Sequence, residues 1–263
     1  MIRIFKDKFT LTFILLGLIL LLFIVVPLLK TVFTSNPSVL FQDPDIAKQV
    51  RESIWLTVYT ALISTAVGLI LGIPLAYILA RHNFPGKKII EGIIDVPIVV
   101  PHTAAGIALL FVFGKNYFAG KAFHAVGIDF VGTVAGIVIA MMFVSVPFLV
   151  DSVKEGFKSV DPRLEKVART LGASPRKTFF GVSLPLAWRS ILSGSVMMWA
   201  RGVSEFGAVL ILTYNPKVAP VLLYDLWVEW GVKYALPFAA LLILLCLIVF
   251  IALRYIAQRG EKS

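Results

Sequence analysis

The chain has 263 residues, of which 59% are hydrophobic and 15% are charged, with a formal net charge of +10. An ordinary soluble domain carries about 25% charged residues, so the composition excludes that class and indicates an integral membrane protein. The single cysteine, Cys246, excludes a disulfide within the chain. The three histidines lie in separate segments without metal-ligand spacing, so the sequence indicates neither a metal site nor an enzyme.

Long apolar stretches predict an all-α integral membrane protein with six transmembrane helices, each near or above the roughly 18 to 20 residues that cross a bilayer. In chain order we expect these helices at residues 9–33, 53–80, 90–114, 131–155, 190–214 and 234–257. Membrane strands would alternate apolar and polar residues, whereas these stretches are apolar all round. The first stretch could also be a secretory signal, but its uncharged length exceeds the h-region of about 7 to 15 residues, and we expect a retained helix.

The distribution of lysine and arginine predicts that both termini are cytoplasmic. With that orientation, seventeen of the 25 basic residues lie in segments that face the cytoplasm and seven lie in segments that face outward. Cytoplasmic connections of plasma-membrane proteins carry this excess. This asymmetry and contact with anionic lipid headgroups explain the positive net charge, so binding to nucleic acid is not needed to explain it.

The third predicted helix contains two prolines, Pro97 and Pro101, each of which removes a backbone hydrogen bond and lets the helix bend. His102 and Thr103 follow directly and could present donors to an anion. These four residues are therefore candidates for a gate on a translocation path. Prolines are also common in membrane helices as simple kinks, and the sequence leaves both interpretations open.

The connection between the fourth and fifth predicted helices, at about residues 156–189, is the long cytoplasmic segment. Asp161 can cap a short helix, Pro162 suits its first position, and Gly172 can end it in the left-handed conformation. The apolar residues of this helix are spaced i, i+3, i+4, i+7 and comprise Leu164, Val167, Ala168 and Leu171. The spacing predicts a two-faced helix.

After this first loop helix, Ala173 continues the turn, Ser174 can cap a second helix, and Pro175 again suits a first helical turn. The segment therefore predicts a helix–turn–helix that leads back into the membrane at Leu184 and Pro185. Periodicity leaves two partners open for its apolar face. It could lie on lipid headgroups or dock onto another protein.

The fifth predicted helix carries Arg201 and Glu205, spaced i, i+4, so that the two charges can pair on one helix face. Pairing offsets part of the cost of placing a charge in a bilayer, about 2.5 to 3.5 kcal/mol for a central arginine. The pair either bridges to a neighbouring helix or lies beside a translocation path. In a path, attraction by the arginine and repulsion by the glutamate would bind an anion transiently.

The sequence contains no G-x-x-x-x-G-K-[ST] stretch, so energy from ATP would have to come from a partner. The 156–189 loop resembles the EAA loop of permease subunits in binding-protein-dependent ABC importers, which reads E-A-A-x-x-x-G followed nine residues later by I-x-L-P. Ala168, Gly172 and the Leu184-Pro185 pair match this pattern. Lys166, Val167 and Val182 stand where the family has its glutamate, first alanine and isoleucine. A glutamate, Glu165, stands one residue before the family's glutamate position.

Two further stretches resemble permeases for sulfate, molybdate and tungstate, most closely those of the archaeal molybdate/tungstate type. They are AYILARHNFPGKKIIEGIIDVPIVVPHTAAGIALLFVFG at 76–114 and WARGVSEFGAVLIL at 199–212. The resemblance implies a tungstate/molybdate permease, with a sulfate/thiosulfate permease as the alternative. A self-contained secondary anion carrier is a different class, which would show an inverted repeat and ionisable residues at matching depths in both halves.

The resemblance also implies partners and residue roles. The partners are a second copy of the chain, two P-loop ATPase subunits that hold ATP and Mg, and an extracytoplasmic oxyanion-binding protein; this chain itself would hold no cofactor. The residues that would couple to the ATPase are Leu164, Glu165, Val167, Ala168, Leu171, Gly172, Ala173, Ser174, Pro175, Leu184 and Pro185. The residues that would line the translocation path are Arg201, Glu205, His102, Thr103, Pro97 and Pro101.

Overall fold

The computed structural model describes residues 8–259, and the side chains of residues 9–251. Over this range the chain forms α-helices with short connections and no strand, which confirms the all-α prediction. The helices are α1 (Lys8–Thr34), α2 (Pro44–Arg81), α3 (Lys87–Val99), α4 (His102–Phe113), α5 (Phe118–His124), α6 (Val134–Ser159), α7 (Pro162–Thr170), α8 (Pro175–Thr178), α9 (Leu184–Val203), α10 (Gly207–Leu212), α11 (Ala219–Trp230) and α12 (Val232–Arg259).

Among the described residues, four helices are long and apolar enough to cross a membrane. They are α1 from Phe9 to Thr34, α2, α6, and α12 from Val232 to Ile251. A fifth span results if α3 and α4, which are bent by 116° at a short break, count as one. The chain is therefore a multi-pass membrane protein, and the six-span count stays a prediction.

Two of the expected helices are each divided in two. The stretch expected at 90–114 forms α3 and α4, which meet at Val100 and Pro101; Val100 has an extended backbone conformation and Pro101 is not helical. Pro101 has no amide hydrogen and disfavours the helical conformation at Val100, which explains the break. The stretch expected at 190–214 forms α9 and α10, separated at residues 204–206.

The chain divides into two compact units. The larger comprises residues 51–222 and 249–259. Its core lies along α6, which packs against α9 through small residues: a Cβ added at Gly156 would collide with Ser190, and one added at Gly194 would lie 2.9 Å from Ser152 Cβ. Close approach at small residues is typical of helices packed within membranes.

The smaller unit comprises residues 8–50 and 223–248 of the described chain. The apolar side chains of α1 are almost all exposed. Such a surface is typical of a helix that contacts lipid. The buried residues of this unit include Leu40, Ile46 and Phe238.

Candidate functional site

The loop after α6 begins with α7, and both ends of this helix have the predicted caps. Asp161 Oδ1 accepts a hydrogen bond from the Arg163 amide at 2.9 Å. At the other end Gly172 has φ +88°, in the left-handed region. The Gly172 amide donates to Arg169 O and the Ala173 amide to Ala168 O, each at 3.0 Å. This pair of bonds is a Schellman motif, which satisfies carbonyls at the helix end and favours glycine at that position.

The second part of the loop continues into α9 without a break. Ser174 Oγ accepts from the Lys177 amide at 3.3 Å at the start of α8. A π-helical turn at Phe179–Ser183 then joins α8 to α9, whose first two residues are Leu184 and Pro185. The second loop helix is therefore joined to α9 without a non-helical residue between them.

The apolar face of α7 does not pack against its own chain. Leu164, Val167 and Leu171 are 47%, 55% and 83% exposed, and Ala168 is half-buried. In α7, which lies wholly within the described range, no residue is buried. An exposed apolar stripe on a helix outside the long apolar segments marks a surface for another molecule.

Glu165, on the same helix, points into the protein. Its Oε1 accepts hydrogen bonds from Arg81 Nε and Ser183 Oγ, each at 2.8 Å. Its Oε2 accepts from the Tyr77 hydroxyl at 3.2 Å. In the sequence, Glu165 stood out as a glutamate one residue early and was expected to couple to the ATPase. Its partners Tyr77 and Arg81, 88 and 84 residues away, could not be identified from the sequence beyond their own i, i+4 spacing.

The charged residues expected in the fifth helix form a cluster with His102 at the two helix breaks. Arg201 Nη2 lies 3.0 Å from Glu205 Oε2 and 2.8 Å from Nδ1 of His102. His102 Nδ1 also lies 2.8 Å from Glu205 Oε2. The Glu205 side chain is 0% exposed, whereas those of Arg201 and His102 are partly exposed. A buried charge is thus held by two partners, one of them from α4.

Glu205 also explains why the backbone can leave the helix at residues 204–206. Its Oε1 accepts a hydrogen bond from the Ala208 amide at 2.8 Å. The first amides of a helix have no intrahelical partner, and in a membrane each one needs another acceptor. Glu205 supplies that acceptor for α10.

Two glycines let α4 and α10 approach closely. A Cβ added at Gly106 would lie 2.8 Å from Ile211 Cβ and 2.9 Å from Ala208 O, and one added at Gly207 would lie 2.8 Å from His102 Cβ. Gly207, which sequence reasoning did not single out, therefore keeps His102 within reach of Arg201.

The remaining path candidates are placed differently. Thr103 and Pro101 are exposed at the start of α4, and Pro97 is buried inside α3. Among the described residues no group of three or more histidine, cysteine, aspartate or glutamate residues could hold a metal ion. The structure therefore brings together three of the six path candidates, His102, Arg201 and Glu205.

Broken membrane helices, ionisable residues held inside them and an exposed helical loop define a class, the membrane-spanning subunit of a transport system. The family model for the binding-protein-dependent transport system inner membrane component matches residues 68–262. The chain belongs to this family. Its members are transport subunits rather than enzymes.

Three named permease proteins are similar to this chain over most of its length. The molybdate/tungstate transport system permease protein WtpB of Pyrococcus furiosus is 44% identical over 84% of this chain and 82% of its own length. The protein of that name from Methanocaldococcus jannaschii is 38% identical over 97% of this chain and 100% of its own length. A probable sulfate transport system permease protein cysT of Chlorokybus atmophyticus is 31% identical over 78% of this chain and 73% of its own length.

A solved structure shares the fold. It is a bacterial ABC transporter involved in the import of the acidic polysaccharide alginate, and it is similar with a TM-score of 0.72 and 18% identity. The similarity covers 97% of this chain and 96% of the matched chain. At this identity the likeness concerns the fold of the membrane subunit.

Proposed function

We propose that this chain is the permease subunit of an ATP-driven importer of molybdate and tungstate. The observation that carries the proposal is the 44% identity to the molybdate/tungstate permease of Pyrococcus furiosus over 84% of the chain. Sulfate is the alternative substrate, since a probable sulfate permease is 31% identical. Molybdate, tungstate and sulfate are all tetrahedral dianions, so the permease alone discriminates weakly and a separate binding protein does most of the selecting.

The surface proposed to receive the ATPase is the stripe of Leu164, Val167 and Leu171 on α7. These side chains are apolar and exposed, and they project from a helix capped at both ends. Burying apolar area against a partner would contribute about 25 cal/mol for each Å² removed from water. The α8 and π-helical segment then carries movement into α9.

The proposed translocation path passes the cluster of His102, Arg201 and Glu205. The cluster lies where α4 begins and α9 ends, and sites at discontinuous helices are typical of transporters. Glu205 is fully buried and balances Arg201, so a passing dianion meets little net charge. Weak, transient binding suits a conduit.

In the assembly we propose, two copies of this chain work with two P-loop ATPase subunits and one extracytoplasmic binding protein. The family description, which names binding-protein-dependent transport, supports the separate binding protein. Closure of the ATPase pair on ATP would draw the two α7 helices together. The path would then change from facing the cytoplasm to facing outward, where the binding protein releases its anion.

The experiment that tests the docking surface is co-purification of the permease with its P-loop ATPase. A Leu171→Asp variant should lose the ATPase, because a charge would replace the most exposed apolar residue of the stripe. The matched control is Val126→Asp, which makes the same change at a residue 71% exposed in the connection between α5 and α6. The control should retain the ATPase. Equal recovery of ATPase with both variants would contradict this docking surface.

A further inference from the structure

We propose that Glu165 is a positioning residue that braces α7 against the permease, and that it does not contact the ATPase. This inference rests on the proposed function, because it concerns how movement of the ATPase reaches the membrane helices. It also separates Glu165 from the other residues expected to couple to the ATPase. Its carboxylate is bonded to residues of its own chain, whereas the side chains of Leu164, Val167 and Leu171 are exposed.

The three donors on the Glu165 carboxylate come from two other parts of the chain. Arg81 is the last residue of α2, Tyr77 lies one turn earlier on the same helix face, and Ser183 is the last residue before α9. One side chain therefore joins α7 to the ends of two longer helices. The side chains of Arg81 and Glu165 are only 8% and 14% exposed. The hydrogen bonds are charge-assisted, which makes them about twice as strong as bonds between neutral groups.

The surroundings of Tyr77 are closely packed aromatic rings. The Tyr77 ring packs edge-on against Phe179, with centroids 4.9 Å apart, and against Phe157, with centroids 5.2 Å apart. Phe157 is fully buried in α6. The aromatic contacts hold the Tyr77 hydroxyl in place, so the hydrogen-bond donor that it offers to Glu165 is preorganised.

Apart from the Glu165 bonds, α7 has little packing against its own chain. None of its residues is buried, and its apolar side chains point outward. Without the Glu165 contacts, α7 could tilt relative to α2 and α9 while its outer face stayed bound to the ATPase. The Glu165 bonds thus give α7 a second connection to α9, besides the backbone through α8 and the π-helical turn, and help a displacement of α7 to become a displacement of α9.

The test uses the full complex of permease, ATPase and binding protein in liposomes, with tungstate as the transported probe. Glu165→Gln keeps the size of the side chain and removes its charge. It should leave ATPase co-purification and ATP hydrolysis near the wild-type level. Tungstate imported per ATP should fall about tenfold, because the charge-assisted bonds become weaker bonds between the neutral amide and its donors. The matched control is Glu155→Gln, which removes a carboxylate from an exposed ion pair with Lys158 on α6. It should keep the wild-type ratio.

Two further variants keep the test decisive. Ser183→Ala removes one donor and little volume, so it should lower the ratio by a smaller factor even if Glu165→Gln folds poorly. Arg81→Gln should resemble Glu165→Gln. The double variant should be no worse than either single variant, since both changes remove the same ion pair between Arg81 and Glu165.

Loss of the ATPase by Glu165→Gln, as expected for Leu171→Asp, would show that Glu165 docks and would overturn the proposal. An unchanged ratio in all of these variants would overturn it as well. By contrast, a wild-type complex that fails to bind the ATPase would overturn the proposed function itself.

Discussion

Glu205 is a carboxylate with no exposed surface in a chain that is otherwise mostly apolar. Arg201 and His102 lie beside one of its oxygens, and the Ala208 amide donates to the other. The sequence predicted the Arg201 partner from the i, i+4 spacing. It could not identify His102 as a partner, because that residue is 99 positions away from Arg201 and comes from another helix.

Replacing Glu205 by alanine should therefore destabilise the permease strongly. The change leaves Arg201 without its buried carboxylate and the Ala208 amide without its acceptor, and breaking a buried ion pair costs about 3 to 5 kcal/mol. Thermal unfolding of the detergent-solubilised protein should show a clearly lower midpoint. Glu155→Ala, at an exposed ion pair, serves as the control and should unfold within a few degrees of the wild type. Equal midpoints for the two variants would contradict the role of Glu205.

Gly106 provides a second prediction for a single residue. Gly106→Ala places a Cβ against the Ala208 backbone, which cannot move as a flexible side chain would, so the contact between α4 and α10 should open. Overpacking of this kind costs about 1 to 3 kcal/mol. Gly92→Ala is the matched control, because it lies in α3 with no atom within 4 Å of an added Cβ. The same thermal unfolding assay should show a lower midpoint for Gly106→Ala alone, and a loss of the same size in both variants would argue against the close contact.

At the scale of helices, Pro101 explains the break between α3 and α4. No residue of the sequence predicted the break between α9 and α10. The stretch Ser204–Phe206 contains no proline, and its apolar neighbours read as one continuous helix. The break depends on a side chain that takes over the bonding of a backbone amide, and this contact is visible only in three dimensions. The loop helices were more predictable, because their caps are set by local residues such as Asp161, Gly172 and Ser174.

Gly172→Val should uncouple ATP hydrolysis from transport. A β-branched residue is strained at φ +88°, by about 1 to 3 kcal/mol, so the turn between α7 and α8 should rearrange. Gly181→Val is the control, since Gly181 lies in the π-helical turn with open space around it and no positive φ. The ratio of tungstate imported to ATP hydrolysed should fall only for Gly172→Val. A normal ratio in that variant would contradict a rigid turn as the coupling element.

At the scale of the whole molecule, the charge asymmetry predicts where the termini lie. In a Cys246→Ser background, a cysteine placed by Ser263→Cys should be shielded from a membrane-impermeant maleimide in intact cells and react after lysis. One placed by Val126→Cys should react in intact cells, because we expect that connection to face outward. Labelling of the Ser263→Cys chain in intact cells would reverse the predicted orientation.

The central claim is that this chain forms the path of an ATP-driven oxyanion importer, and uptake by the reconstituted complex tests it most directly. Liposomes that contain the permease and its ATPase would be supplied with the binding protein and, in turn, with tungstate, molybdate and sulfate. We expect uptake of tungstate and molybdate only when ATP is present on the side of the membrane that carries the ATPase. Sulfate should be taken up less. Uptake that proceeds without ATP and follows an ion gradient would contradict the central claim.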